Sequence, residues 1–118
     1  MSDSIEKIAN AFTDALKANR FEEAEAMWAD DILSRENMDG PMKELRGREA
    51  VHGKGVWWAE NNVVHAFTAQ GPFINGDSFA LMIHMDTTAK ETGERSASDE
   101  VALYTVRGGK IVEERFFY

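Results

Sequence analysis

The sequence predicts an α+β fold, with helices gathered on one side of a curved antiparallel sheet. Three observations predict it. Apolar residues recur at helical spacing through the first half of the 118 residues, and the period changes from 3.6 to 2 at Val63. The chain then closes on residues 101–118, two strand-like runs rich in Val, Tyr, Thr and Phe around Gly108-Gly109 in two-residue turn position. A strand that ends a chain must be pinned by the sheet, because free termini fray.

The elements follow in order. Residues 4–18 place Ile5, Ile8, Ala9, Phe12, Ala15 and Leu16 on one helical stripe, with Ser and Asp ahead of it as capping candidates. Ala18-Asn19-Arg20 breaks the pattern. A short second helix covers 21–28, turning Phe21, Ala24, Met27 and Trp28 inward, and Asp30-Asp31 ends it. Ile32-Leu33-Ser34 reads as a brief strand and Asn37-Met38-Asp39-Gly40-Pro41 as a turn or mobile loop. Gly47-Arg48-Glu49-Ala50 opens a third helix that runs to about Asn62. Gly53 and Gly55 weaken it by about 1 kcal/mol each relative to alanine, so packing of Trp57 and Trp58 must compensate.

Residues 63–69 then form a strand, Asn75-Gly76-Asp77 a turn, and residues 77–89 a longer strand with Phe79, Leu81, Ile83 and Met85 on one apolar face. Ala80, Met82, His84, Asp86 and Thr88 take the other face. Lys90-Glu91-Thr92-Gly93 turns the chain into a third long strand, 94–107, before the terminal one. The prediction is three helices followed by a meander of about four strands.

The length fits one domain, residues 1–118, with one hydrophobic core. There is no cysteine, so disulfides, thiol nucleophiles and thiolate metal sites are excluded. Thirteen basic against twenty-one acidic residues give a formal charge of −8, which repels phosphate backbones and anionic lipid surfaces. No nucleic-acid partner is expected. The opening Met1-Ser2-Asp3-Ser4 has no basic or apolar signal region, and no apolar run approaches a membrane span, so a soluble, unprocessed, cytoplasmic protein is expected with no membrane partner.

Several motifs fail on inspection. His84-Met85-Asp86 offers two ligands without a third, and His65 does not complete a metal site. Gly53-Lys54-Gly55 lacks the spacing and terminal Ser or Thr of a phosphate loop. Ser96 and Ser98 lack a nucleophile-elbow context. No metal and no cofactor is expected.

Four features in order carry a family resemblance: the succession of elements, Met27-Trp28-Ala29-Asp30-Asp31, Gly47-Arg48-Glu49-Ala50-Val51, and the hairpin Val106-Arg107-Gly108-Gly109-Lys110-Ile111-Val112. Over essentially the whole chain they resemble the NTF2-like superfamily, in particular its SnoaL-like branch. The resemblance implies a cone-shaped barrel of the cystatin-like type, a pocket at its open end, and commonly a homodimer through the sheet. It does not imply one reaction, because the scaffold hosts isomerases, cyclases, dehydratases, hydrolases and proteins without catalysis.

Aligned on the ketosteroid-isomerase branch, Glu36 takes the position of the proton-moving base. The tyrosine position falls on Phe12, which cannot donate a hydrogen bond, and the aspartic-acid position falls near Ala102, with Glu100 a displaced substitute. Steroid isomerisation by that mechanism is disfavoured. The SnoaL cyclases use a strand histidine and a strand aspartate, for which His84 and Glu100 are the nearest matches.

Glu36, His84 and Glu100 are therefore the candidate catalytic groups. Phe12, Trp57, Trp58, His65, Tyr104 and Phe116 are the candidate ligand contacts for an unidentified small molecule. Each has a plainer alternative. His84 sits on the more polar strand face, His65 fits a packed strand histidine, and Glu36 fits a loop carboxylate. Trp57 and Trp58 fit core positions at helical spacing, and Glu100 fits an ion pair with Arg115 across the hairpin. Three functions stay open: a pocket protein with lyase, isomerase or cyclase chemistry, a noncatalytic binder, and a dimeric interaction module.

Overall fold

The computed structural model describes residues 2–118, with side chains from residue 5 onward. The elements run α1 (Ser2–Lys17), α2 (Phe21–Glu25), β1 (Trp28–Arg35), β2 (Glu44–Arg46), α3 (Arg48–Asn61), β3 (Asn62–Asn75), β4 (Ser78–Ala89), β5 (Arg95–Arg107) and β6 (Lys110–Phe117). The side chains expected to cap α1 lie outside the described residues.

The α+β class holds, and three finer expectations are corrected. The six strands form one sheet in the order β2-β1-β6-β5-β4-β3, whose ends β2 and β3 do not meet, so the sheet is open rather than a closed barrel. Only two helices precede the strands; α3 follows β2. The sheet is also mixed, because β1 runs parallel to β6 while every other pair is antiparallel.

The second helix ends earlier than its apolar spacing predicts. Trp28 leaves it to pair with Ile111 and is buried at the start of β1. The β1–β6 register shifts between Trp28 and Leu33, and Asp30 and Asp31 fall in that irregular stretch, facing solvent. That is why two aspartates resembling a helix stop lie inside a strand.

The α1 stripe behaves as its period requires. Ile5, Ala9, Phe12 and Ala15 are buried against the sheet face made by Phe79, Leu81 and Ile83 of β4 and Ala102, Tyr104 and Val106 of β5. Phe12 meets Tyr104 edge-on at 4.8 Å between centroids, and Phe79 stacks on Tyr104 at 4.9 Å. Such pairs add about 0.5–1.5 kcal/mol beyond the area they bury. Thr13, also buried, spends its hydroxyl on the Ala9 carbonyl at 2.7 Å.

The terminal hairpin decides which side chains share the concave face. Gly108 and Gly109 both have positive φ, +59° and +77°, as a two-residue turn of the twisted hairpin type requires. The register then shifts between Val106↔Ile111 and Thr105↔Glu113, leaving Val112 as an extra residue. One inserted residue moves everything after it to the opposite face. Arg115 consequently pairs with Leu103, and Phe116 with Ala102. The Glu100–Arg115 ion pair expected from an unbulged hairpin does not form, because the two side chains lie on opposite sides of the sheet.

Candidate functional site

Register carries four rows of side chains across the concave face. Phe67, Met85 and Ser98 form one row, and Ala69, Ile83 and Glu100 the next. Leu81, Ala102 and Phe116 follow, and then Phe79, Tyr104 and Glu114. Two carboxylates thus stand on an otherwise largely apolar surface. β1 adds Ser34 opposite Glu114, and Glu36 follows directly after the strand.

Lys54 reaches this group from α3. Val51, Lys54 and Trp58 share one side of that helix by their three- and four-residue spacing, and all three are at least half-buried. The ammonium of Lys54 donates to Ser34 Oγ at 2.5 Å and to Glu36 Oε2 at 2.7 Å, and lies 3.8 Å from Glu114 Oε2. The Ser34 hydroxyl donates to Glu114 Oε2 at 2.7 Å, and the Tyr118 hydroxyl donates to Glu36 Oε1 at 3.0 Å. The ammonium also sits 5.0 Å over the Phe116 ring.

Glu114 is the most deeply buried carboxylate of the set, and burial raises its pKa against the opposing pull of Ser34 and Lys54. Glu100 is half-buried and takes no part in the hydrogen bonds that fix its neighbours. Desolvation, then the nearby Glu36 and Glu114 charges, push its pKa from 4.5 to about 7, with Lys54 pulling the other way. Three carboxylates surround one ammonium. Of the three, Glu100 has no hydrogen bond to offset its burial.

The other sequence candidates fall elsewhere. His84 is on the outer sheet face, exposed and bonded to Asp99 at 2.7 Å, so the structure does not bring it to Glu36 or Glu100. Asp86, on the same outer face, is held by Arg95 at 2.9 Å, which keeps its carboxyl below the ordinary range. His65 is exposed and bonded to Thr88 at 2.7 Å. Phe12 and Tyr104 are core, only 3% and 2% exposed. Trp57 is half-exposed, Trp58 half-buried, and Phe116 lies under Lys54.

The profile of the SnoaL-like domain matches residues 4–118. The chain belongs to the SnoaL-like domain family. A Mesorhizobium loti protein, described as a candidate SnoaL-like polyketide cyclase, is 50% identical with a TM-score of 0.93, over 97% of this chain and 98% of its own. A Xanthomonas campestris protein of unknown function with a cystatin-like fold is 19% identical with a TM-score of 0.80, over 96% of this chain and 88% of its own. A Mycobacterium tuberculosis protein in complex with estradiol-17β-hemisuccinate is 19% identical with a TM-score of 0.73, over 98% and 93%. The last two share the fold. No curated protein matches.

In this SnoaL-like chain, sequence reasoning found Glu36 and Glu100 and missed Ser34, Lys54, Glu114 and Tyr118. Lys54 had a signal, its spacing from Val51 and Trp58, which the flanking glycines concealed. Glu114 had none, because an unbulged hairpin puts it on the outer face. Among the described residues, no group of three or more His, Cys, Asp or Glu side chains is disposed to hold a metal ion. No helix among them is long and apolar enough to cross a membrane.

Proposed function

We propose that this SnoaL-like protein binds a small apolar or aromatic molecule at the charged end of the concave face and moves a proton on it with Glu100. The reaction class is lyase, isomerase or cyclase chemistry. The observation that carries this reading is Glu100 itself, a half-buried carboxyl on an apolar face, outside the hydrogen bonds that occupy Glu36, Glu114, Ser34 and Lys54. A group left unpaired in that setting is available to a ligand. Its proton affinity near neutral pH suits it to accept a proton from carbon and return it.

The remaining residues take supporting roles. As a C–H bond adjacent to a carbonyl loses its proton to Glu100, the electron pair moves onto the carbonyl oxygen, and Lys54 is the cation at hand. Glu36 and Glu114 hold Lys54 in place and keep Glu100 basic. Phe116 gives an aromatic surface beside them. The 50% identical Mesorhizobium loti protein supports a cyclase-like reading, and the steroid ester on the more distant relative suggests planar apolar probes.

The test is deuterium exchange. With 2-tetralone, a flat aromatic ketone, the protein should catalyse uptake of deuterium from D2O beside the carbonyl, followed by proton NMR. Glu100→Gln should slow that exchange by about a hundredfold or more while ketone binding persists. Binding with no catalysed exchange selects the noncatalytic reading, which has one observation in its favour: among the described residues no second acid or base stands free of hydrogen bonds beside Glu100. Exchange that survives Glu100→Gln removes Glu100 from the chemistry.

A further inference from the structure

The outer side of the β2-β1-β6 edge carries a second polar assembly. Arg35 and Arg115 each follow directly on a member of the inner cluster, Ser34 and Glu114, so strand alternation turns them to the other face. The parallel register sets them side by side, and Glu44 flanks Arg35 from β2. The row holds two guanidinium groups and one carboxylate, which reaches only Arg35.

That carboxylate does not satisfy them. Arg35 Nε lies 3.2 Å from Glu44 Oε1, yet the geometry is no hydrogen bond, and this buried Nε has no hydrogen-bond partner among the described residues. Arg115 has no carboxylate partner among them; its guanidinium lies 5.0 Å over the Phe117 ring. Between the two arginines and the Gly40-Pro41 loop opens a cleft of about 580 Å³. Lys43, tied to Asp39 at 2.7 Å, supplies a third cation to its wall, against Glu36 and Glu44. Glu36 spends both its oxygens on Lys54 and Tyr118. In a chain of net charge −8, this cleft gathers three cations, of which Arg115 has no carboxylate within ion-pair distance among the described residues.

We propose that this cleft binds an oxyanion, the carboxylate or phosphate group of a ligand, between the guanidinium groups of Arg35 and Arg115 with Lys43 at the rim. Guanidinium donors match such planar or tetrahedral oxygens in paired hydrogen bonds, and the ligand's charge relieves the repulsion between the two arginines. The cleft shares Glu36 with the concave-face cluster, but oxyanion binding there does not rest on the proton transfer proposed for Glu100.

The test uses the full chain at low ionic strength, with inorganic phosphate and acetate as separate probes. Saturable shifts of the Arg35 and Arg115 Nε–Hε NMR signals are expected with at least one ion. Phosphate alone points to a phosphate-bearing ligand, acetate alone to a carboxylate, and both to the shared chemistry. Arg115→Gln should weaken the responding ion about tenfold or more, as loss of a charge-assisted hydrogen bond does. Arg107→Gln, an exposed arginine at the hairpin tip, should leave it unchanged. No saturable shift in the wild-type chain, or equal loss in both variants, overturns the proposal whether or not Arg115→Gln folds.

Discussion

Under α1, the concave face is aromatic and sealed; under α3, the same face is charged and partly open. Phe12, Phe79 and Tyr104 meet in the first half, while Lys54, Glu36, Glu100 and Glu114 meet in the second. The boundary is a single cross-strand pair, Tyr104 opposite Glu114. β5 crosses it, with Tyr104 in the core and Glu100 four residues earlier among the charges. The difference teaches where the stability sits. Apolar burial in one half offsets the cost of holding carboxylates out of water in the other, so substitutions in the two halves should fail in different ways.

The largest effect belongs to the aromatic half. Phe79 is 1% exposed and touches both other rings, so Phe79→Ala removes burial and leaves a cavity, and should cost about 3–5 kcal/mol in chemical denaturation. That loss should barely depend on pH between 5 and 8, because no titrating group loses a partner. A cost under about 1 kcal/mol would mean that the anchor of the fold lies elsewhere.

Next comes the cation of the charged half. Lys54→Met keeps most of the unbranched stem but removes the ammonium over Phe116 and leaves Glu36 and the buried Glu114 without their counter-ion. Breaking a fully buried pair costs about 3–5 kcal/mol, and because Glu36 stays partly in solvent about 2–3 kcal/mol is expected at pH 7. Unlike the Phe79→Ala loss, this one should shrink as the solution is acidified and the carboxylates take up protons. A loss independent of pH would show that Lys54 acts through packing alone.

The two halves also differed in how readily their sequence could be read. Helical spacing in α1 and strict alternation from Phe79 to Met85 report burial directly, and both matched the observed core. The charged half depends on long-range register instead. Whether Glu100 faces Arg115 or Glu114 turns on one extra residue, Val112, and no local preference announces a bulge there. Lys54 was hidden differently. Two glycines beside it marked only a weakened helix, and the exposed Val56 and Trp57 blur the apolar stripe that would have set off the Val51-Lys54-Trp58 side. Asp30-Asp31 misled in the same manner, since a strand irregularity and a helix stop both favour exposed polar residues.

The smallest expected effect gives the sharpest comparison, because it concerns a group whose ionisation the fold opposes. Below about pH 4.5 Glu100 is protonated in folded and unfolded chains alike and contributes no pH dependence. Between 4.5 and about 7 the unfolded chain loses the proton while the folded chain keeps it, so stability falls as pH rises through that window. Above pH 7 both forms are ionised and the cost is complete. The full shift converts at about 1.4 kcal/mol per pH unit, but solvent reaches part of the side chain, and about 1–2 kcal/mol is the expected loss. Glu100→Gln should remove that slope, making the variant the more stable of the two at pH 8 and nearly equal to wild type at pH 4. Glu114, also raised by burial, adds a slope of the same sign to both proteins, and the difference between their curves cancels it. Parallel curves from pH 4 to 8 would place the Glu100 carboxyl in water, and the charged half would then hold no poised proton.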